Sequence, residues 1–133
     1  MTPLFTKLNL KQQKEIVVLN APVTFEPELT ALVGVNVHRS FDASPDTDFF
    51  LVFTTQKSQT NAIAPALTAL AKGDAILWFA YPKGTSKRFQ CDFNRDNGWD
   101  ALVTAGFQTV RAVSIDDDWT ALRFRRNEFV KSR

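Results

Sequence analysis

Asp48-Phe49-Phe50-Leu51-Val52-Phe53 is the stretch whose reading settles the fold class. An unbroken apolar run of this length is too short for a buried helix. It suits a strand covered on both faces, as in a parallel sheet sandwiched between helices. The residues after it support that reading. Ser58 reads as a helix N-cap, Ile63, Leu67 and Leu70 fall on one helical face, and Gly73 reads as the stop. Pro65 inside this helix predicts a break, or two short helices meeting there. Ala75-Ile76-Leu77-Trp78-Phe79-Ala80 is then a second buried strand, closed by Tyr81-Pro82-Lys83-Gly84. Strand, helix and strand at this spacing make a parallel pair with a right-handed crossover.

The same grammar extends upstream. Glu15-Ile16-Val17-Val18-Leu19 is a short, β-branched apolar run followed by Asn20-Ala21-Pro22. Leu29, Leu32 and Val33 sit at helical spacing between Glu26 and Val33, and Gly34 ends that stretch. Val35-Asn36-Val37-His38 alternates and reads as an edge strand, short enough to leave room for pairing with a second copy. Ser44-Pro45-Asp46 reads as loop. Downstream, Trp99, Leu102 and Val103 mark a helix ending at Gly106. The runs from Val110 to Ile115 and from Trp119 to Phe124 form a hairpin about Asp116-Asp117-Asp118. The expected architecture is one α/β domain over residues 1–133. It has three layers, α/β/α, around a mostly parallel sheet with an antiparallel C-terminal hairpin.

Bulk properties agree. The 133 residues carry 44% hydrophobic and 23% charged side chains, an ordinary globular balance that excludes disorder. No apolar run approaches the roughly 18 residues of a membrane span. Met1 to Lys7 lacks the basic and apolar regions of a secretory leader. Cys91 is the only cysteine, so an internal disulfide is excluded and a reducing, cytoplasmic setting is expected. A net charge of +2 is too small to imply a polyanion partner. The basic residues do crowd two places, Lys83, Lys87 and Arg88 in one loop, and Arg123, Arg125, Arg126, Lys131 and Arg133 at the C-terminus. Such runs mostly solvate a surface.

In an open α/β sheet, ligands sit beyond the carboxyl ends of the strands. Residues there are Asn20, His38, Thr54, Thr55, Tyr81 and Lys83, with Asp116 to Trp119 closing one side. The phosphate-cradling loops are absent: neither G-x-G-x-x-G nor G-x-x-x-x-G-K-[ST] occurs, and Pro22 removes an N–H from the first turn. One His and one Cys make no zinc set, and Asp116-Asp117-Asp118 reads as a solvated turn, so no metal is expected. Cys91 could be activated if Lys87 and Arg88 come close, although a lone Cys usually packs inertly. Lys83 and Asp92 could pair as acid and base, or merely as a loop ion pair. Phe89 and Phe93, interleaved with Lys87, Arg88 and Arg95, could stack nucleic-acid bases, but a short half-buried strand or lid is the simpler reading.

The strand Asp48–Phe53, the helix ending Ala69-Leu70-Ala71-Lys72-Gly73-Asp74, the strand Ala75–Ala80, the helix ending Ala105-Gly106-Phe107 and the final hairpin are similar to the C-terminal half of a class I methyltransferase. The resemblance runs from about Glu15 onward and is to a shortened, Rossmann-like version, with elements missing before Asp48. More closely, the chain resembles an uncharacterised bacterial family, domain-of-unknown-function family 3052. The likeness lies in Leu19-Asn20-Ala21-Pro22, Trp78-Phe79-Ala80-Tyr81-Pro82-Lys83 and Asp116-Asp117-Asp118-Trp119-Thr120-Ala121-Leu122-Arg123-Phe124. It departs in Tyr81 before Pro82, Gly84 after Lys83, and Thr120 where Ser is usual. The resemblance implies that Asn20, Pro22, Pro82, Lys83 and Trp119 belong to a shared pattern, and it implies no activity. The methyltransferase likeness implies a glycine-rich adenosylmethionine loop and an acidic residue after the second strand. Asn20-Ala21-Pro22 and the region of His38 and Arg39 stand in their places.

The leading expectation is therefore a non-catalytic or unassigned binding domain, without a cofactor. It would take a small anionic ligand or a protein partner through Asn20, Pro22, His38, Tyr81, Lys83, Asp92 and Trp119. A divergent enzyme, either methyltransferase-like or built on Lys83 and Asp92, is the second reading. Nucleic-acid binding by the basic C-terminus is the third.

Overall fold

The computed structural model describes residues 2–40, 47–93 and 97–130. The expected loop at Ser44-Pro45-Asp46, the basic residues Lys131 and Arg133, and Arg95 lie outside the described residues. The elements in chain order are α1 (Pro3–Lys7), β1 (Glu15–Leu19), a 3-10 turn (Val23–Phe25) leading into α2 (Glu26–Thr30), and β2 (Asn36–His38). Then come β3 (Phe49–Phe53), α3 (Lys57–Leu70), β4 (Ile76–Pro82), α4 (Asp100–Thr104), β5 (Phe107–Ser114) and β6 (Trp119–Arg126). The strands form a six-stranded sheet in the order β2-β1-β3-β4-β6-β5. The first four run parallel, and β6 is antiparallel to both β4 and β5. The mixed α/β architecture, mostly parallel with an antiparallel end, is thus present. No helix among the described residues is long and apolar enough to cross a membrane.

Every side chain of β3 is buried, as an uninterrupted apolar strand between two helical layers must be. Alternation divides the strands between two cores. Ile16, Val18, Phe49, Leu51, Phe53 and Trp78 face α1 and α2, meeting Phe5, Leu8, Phe25 and Leu29. Val17, Leu19, Phe50, Val52, Leu77 and Phe79 face α3 and α4, meeting Ala64, Leu67 and Leu102. Trp78 fastens α1 to the sheet by donating its Nε1–H to the Leu8 carbonyl at 2.8 Å.

Three local expectations need correction. Helix α3 is continuous through Pro65. The carbonyl of Asn61, deprived of its i+4 donor, lies on an exposed residue where water can answer it. The cap is Gln56, not Ser58: Gln56 and Gln59 form a capping box, and Gln59 Oε1 also accepts from Thr55 N at 2.7 Å. Val33 is 87% exposed because α2 ends at Thr30, so the following turn carries Val33 off the helical face.

Candidate functional site

Strand order places the topological switch point between β1 and β3, whose connections leave in opposite directions. At the end of β1 the chain turns through Asn20 with φ of +61°, a left-handed conformation that Asn tolerates better than most non-glycine residues. Pro22 then starts the 3-10 turn that drives Phe25 into the core, 4.9 Å from Phe53 by ring centroids. At the end of β2, His38 Nε2 lies 2.8 Å from Glu15 Oε1. Arg39 closes on Glu26 with two hydrogen bonds of 2.7 and 2.8 Å. The guanidinium holds the Glu26 carboxyl below its usual range, chiefly by these hydrogen bonds.

The end of β4 is built differently. The Ala80 carbonyl accepts Thr54 N on the β3 side, and Lys83 N donates to the Asp118 carbonyl at 2.8 Å on the β6 side. Alternation therefore points the missing donor of Pro82 toward β3, past its last residue Phe53, where no ladder bond is lost. Beyond Pro82, residues 83–93 form an irregular strap across the strand ends, with no strand in it. Asp118 ties down one end. Its carboxylate accepts from Ser86 Oγ at 2.9 Å and from Arg88 Nε and Nη2 at 3.0 and 2.6 Å. Arg88 first, then Ser86, lowers the Asp118 pKa. Asp92 ties the other end by accepting from Lys57 N, the first turn of α3, at 2.7 Å.

Under the strap lies a cleft of about 390 Å³ lined by Tyr81, Lys83, Gly84, Ser86, Gln90 and Cys91, with Pro82, Phe89 and Phe93 as apolar wall. That volume falls in the range of small-molecule sites. A smaller neighbour of about 240 Å³ is lined by Thr55, Gln56, Gln90, Cys91 and Asp92. The structure thus gathers Tyr81 and Lys83 in one cleft and Asp92 in the next. Asn20, Pro22 and His38 line neither.

These contacts also place the other candidate residues. Lys83 and Asp92 make no acid–base pair: Lys83 Nζ donates to Ser114 Oγ at 2.7 Å, while Asp92 is engaged at α3. Trp119 is only 3% exposed, packed between Phe53 at 5.2 Å and Phe89 at 5.0 Å, so it is a core anchor that no ligand reaches while the strap is down. Its indole Nε1 has no partner among the described residues. Burial pushes the Cys91 thiol up, against the activation that neighbouring cations could have given. Phe93 is buried beside Tyr81 and Trp99 and offers no face for a base. The C-terminal arginines are also engaged: Arg125 with Asp74, and Arg126 with the carbonyls of Thr68 and Ala71 while lying over Phe107. In the acidic turn, Asp116 Oδ1 accepts from the backbone of Asp118 and Trp119, a local turn device. Among the described residues no cluster of metal-ligating side chains forms.

No family model and no curated protein matches the chain in sequence. Its structure does find matches. A SAM dependent methyltransferase from Aquifex aeolicus superposes with a TM-score of 0.61 at 13% identity, over 91% of this chain and 86% of that one. The fold is that of the class I methyltransferases. The N-methyltransferase NodS from Bradyrhizobium japonicum gives 0.55 at 13% identity, over 92% of each chain. Magnesium protoporphyrin IX methyltransferase from Synechocystis gives 0.55 at 12%, over 93% of this chain and 78% of that one. A protein of the NADB-Rossmann superfamily from Streptococcus agalactiae gives 0.59 at 9%, over 99% and 71%. Identities this low carry the fold alone.

The residues at the ends of β1 and β2 depart from the adenosylmethionine pattern that the methyltransferase likeness implies. Asn20 and Pro22 put a side chain and a missing N–H where bare glycine backbone would have to approach. After β2 stands a guanidinium already closed on Glu26, in place of a free carboxylate for a ribose. Sequence reasoning missed Ser86, Gln90 and the latch role of Asp118. Ser86 and Gln90 carry no motif, and Asp118 looked like any acidic turn residue.

Proposed function

We propose that the chain is a non-catalytic binding domain on a degenerate methyltransferase-like fold, taking a small organic anion in the cleft beside Tyr81 and Lys83. One observation carries this reading. Lys83 is the single charged side chain among the described residues lining that cleft, and a hydroxyl, not a carboxylate, answers its ammonium. The apolar wall of Pro82, Phe89 and Phe93 calls for an anion with an apolar body. Kinship with domain-of-unknown-function family 3052 belongs to the same reading and rests on the stretches Leu19–Pro22, Trp78–Lys83 and Asp116–Phe124. So does a cytoplasmic setting, which rests on the lone Cys91.

Calorimetric titration with benzoate, indole-3-acetate and citrate tests the reading. At least one aromatic carboxylate should bind, and Lys83→Met should weaken it by about tenfold or more, the scale of one charge-assisted hydrogen bond. Unchanged affinity in Lys83→Met would remove the basis of the proposal. The fold favours a divergent methyltransferase as the second reading. Adenosylmethionine raising the melting temperature by preferential binding to the native state, with no effect of the carboxylates, would decide for it.

A further inference from the structure

The sheet face that carries Trp78 ends in a row of arginines. Trp78 on β4, Arg123 on β6 and Arg111 on β5 stand side by side in register. Two guanidiniums as direct cross-strand neighbours repel each other. Among the described residues, no carboxylate lies within ion-pair distance of either. Arg111 gives one N–H to the Lys7 carbonyl at the end of α1 and lies over the Trp78 ring, 5.7 Å from its centroid. Among the described residues, the one hydrogen bond of the Arg123 side chain is at 3.5 Å, to Asn9 Oδ1, and its buried Nε meets no acceptor. Burial first, then Arg125, pulls the Arg123 pKa below its usual value; Asp74 opposes this in part, and Arg111 adds the smallest lowering. Asp74 is itself held by Arg125 at 2.9 and 2.6 Å. Among the described residues, Arg111, Arg123 and Arg125 against Asp74 leave two positive charges without a carboxylate on one small surface.

We infer that Arg111 and Arg123 form a binding site for a phosphomonoester group. The charge fits, since such a group carries about −1.5 to −2 at neutral pH, whereas a carboxylate or phosphodiester would answer only one of the two positive charges. The shape fits too. Arg111 and Arg123 are cross-strand partners just past a register shift between Thr109 and Arg111, and neighbours of that kind stand roughly 5 Å apart at Cβ, within reach of one tetrahedral oxyanion that accepts from both planar forks. Arg111 is already oriented, by the Lys7 carbonyl and the Trp78 ring. The site is separate from the cleft beside Tyr81 and does not rest on it.

The side-chain Nε–Hε resonances of Arg111 and Arg123, recorded in labelled full-length protein during titration with inorganic phosphate, test the site against chloride at matched ionic strength. Phosphate should produce saturable shifts at these two arginines, and chloride should not. Arg111→Gln, a change at an exposed residue, should weaken phosphate binding by about 10- to 100-fold while the melting curve confirms folding. Equal shifts with chloride, shifts confined to other arginines, or unchanged affinity in Arg111→Gln would overturn the inference. So would a duplex oligonucleotide that binds with steep salt dependence while phosphate moves nothing, because the cluster would then read a nucleic-acid backbone.

Discussion

Trp78→Phe and Trp119→Phe remove the same atoms from two buried indoles, yet their costs should differ. Both rings are nearly inaccessible, at 0% and 3% exposure, so the lost contacts and the space left behind are comparable and largely cancel in the difference. What does not cancel is the N–H. The Trp78 Nε1–H is given to the Leu8 carbonyl at 2.8 Å, and removing it strands a buried acceptor, at about 1–3 kcal/mol. The Trp119 Nε1–H has no partner among the described residues, so removing it relieves a desolvation penalty of about the same size. The two terms have opposite signs, and Trp78→Phe should be the more destabilising by at least about 2 kcal/mol. For a chain of this length that gap is roughly 6–10 °C in melting temperature. Urea unfolding and thermal melts followed by circular dichroism would measure it. Equal costs, or a larger cost for Trp119→Phe, would show that the Trp119 N–H is satisfied in solution and refute the reasoning.

Pro65→Ala should stabilise the protein by about 1–3 kcal/mol, because it restores the hydrogen bond to the Asn61 carbonyl in α3 while returning some freedom to the unfolded chain; an unchanged or lower urea midpoint would contradict this. Stability should fall in acid. Glu26, Asp74 and Asp118 have folded pKa values held below the usual range by Arg39, Arg125 and Arg88 respectively. What they contribute is present above the ordinary carboxylate range and lost as pH drops through it toward the depressed values. Urea midpoints between about pH 6 and 3 should show this fall, with a shallower one in Asp118→Asn; a flat profile in the parent protein would count against the three ion pairs.

The parts of the fold that were legible in the chain are those governed by neighbours in sequence. Asp48–Phe53 and Ala75–Ala80 read as buried strands because an apolar run of strand length can be satisfied only between two covering layers. Glycines at Gly73 and Gly106, both with positive φ, mark helix ends where few other residues fit. Misreadings came where a local rule met a permissive context. Pro65 is tolerated because its face of α3 is wet, and Val33 is left in solvent because α2 stops early. The candidate site was half legible. Tyr81 and Lys83 do meet at a strand end, but Asp92, His38 and Trp119 are claimed by α3, Glu15 and the core.

By itself, then, the sequence determined the order of strands and helices from β1 onward, though not α1, their alternation into a mostly parallel sheet, and the Asn20-Ala21-Pro22 turn that departs from a glycine-rich cofactor loop. Only the tertiary structure decided which charges are free. Arg125 looks no different from Arg111 and Arg123 along the chain, yet Arg125 finds the Asp74 carboxylate, while among the described residues Arg111 and Arg123 stand side by side with only neutral partners, the Lys7 carbonyl and Asn9. The physical reason is that backbone preference and apolar period act over a few residues. A charge, in contrast, is answered by whatever group the folded chain brings within a few ångströms, however distant in sequence.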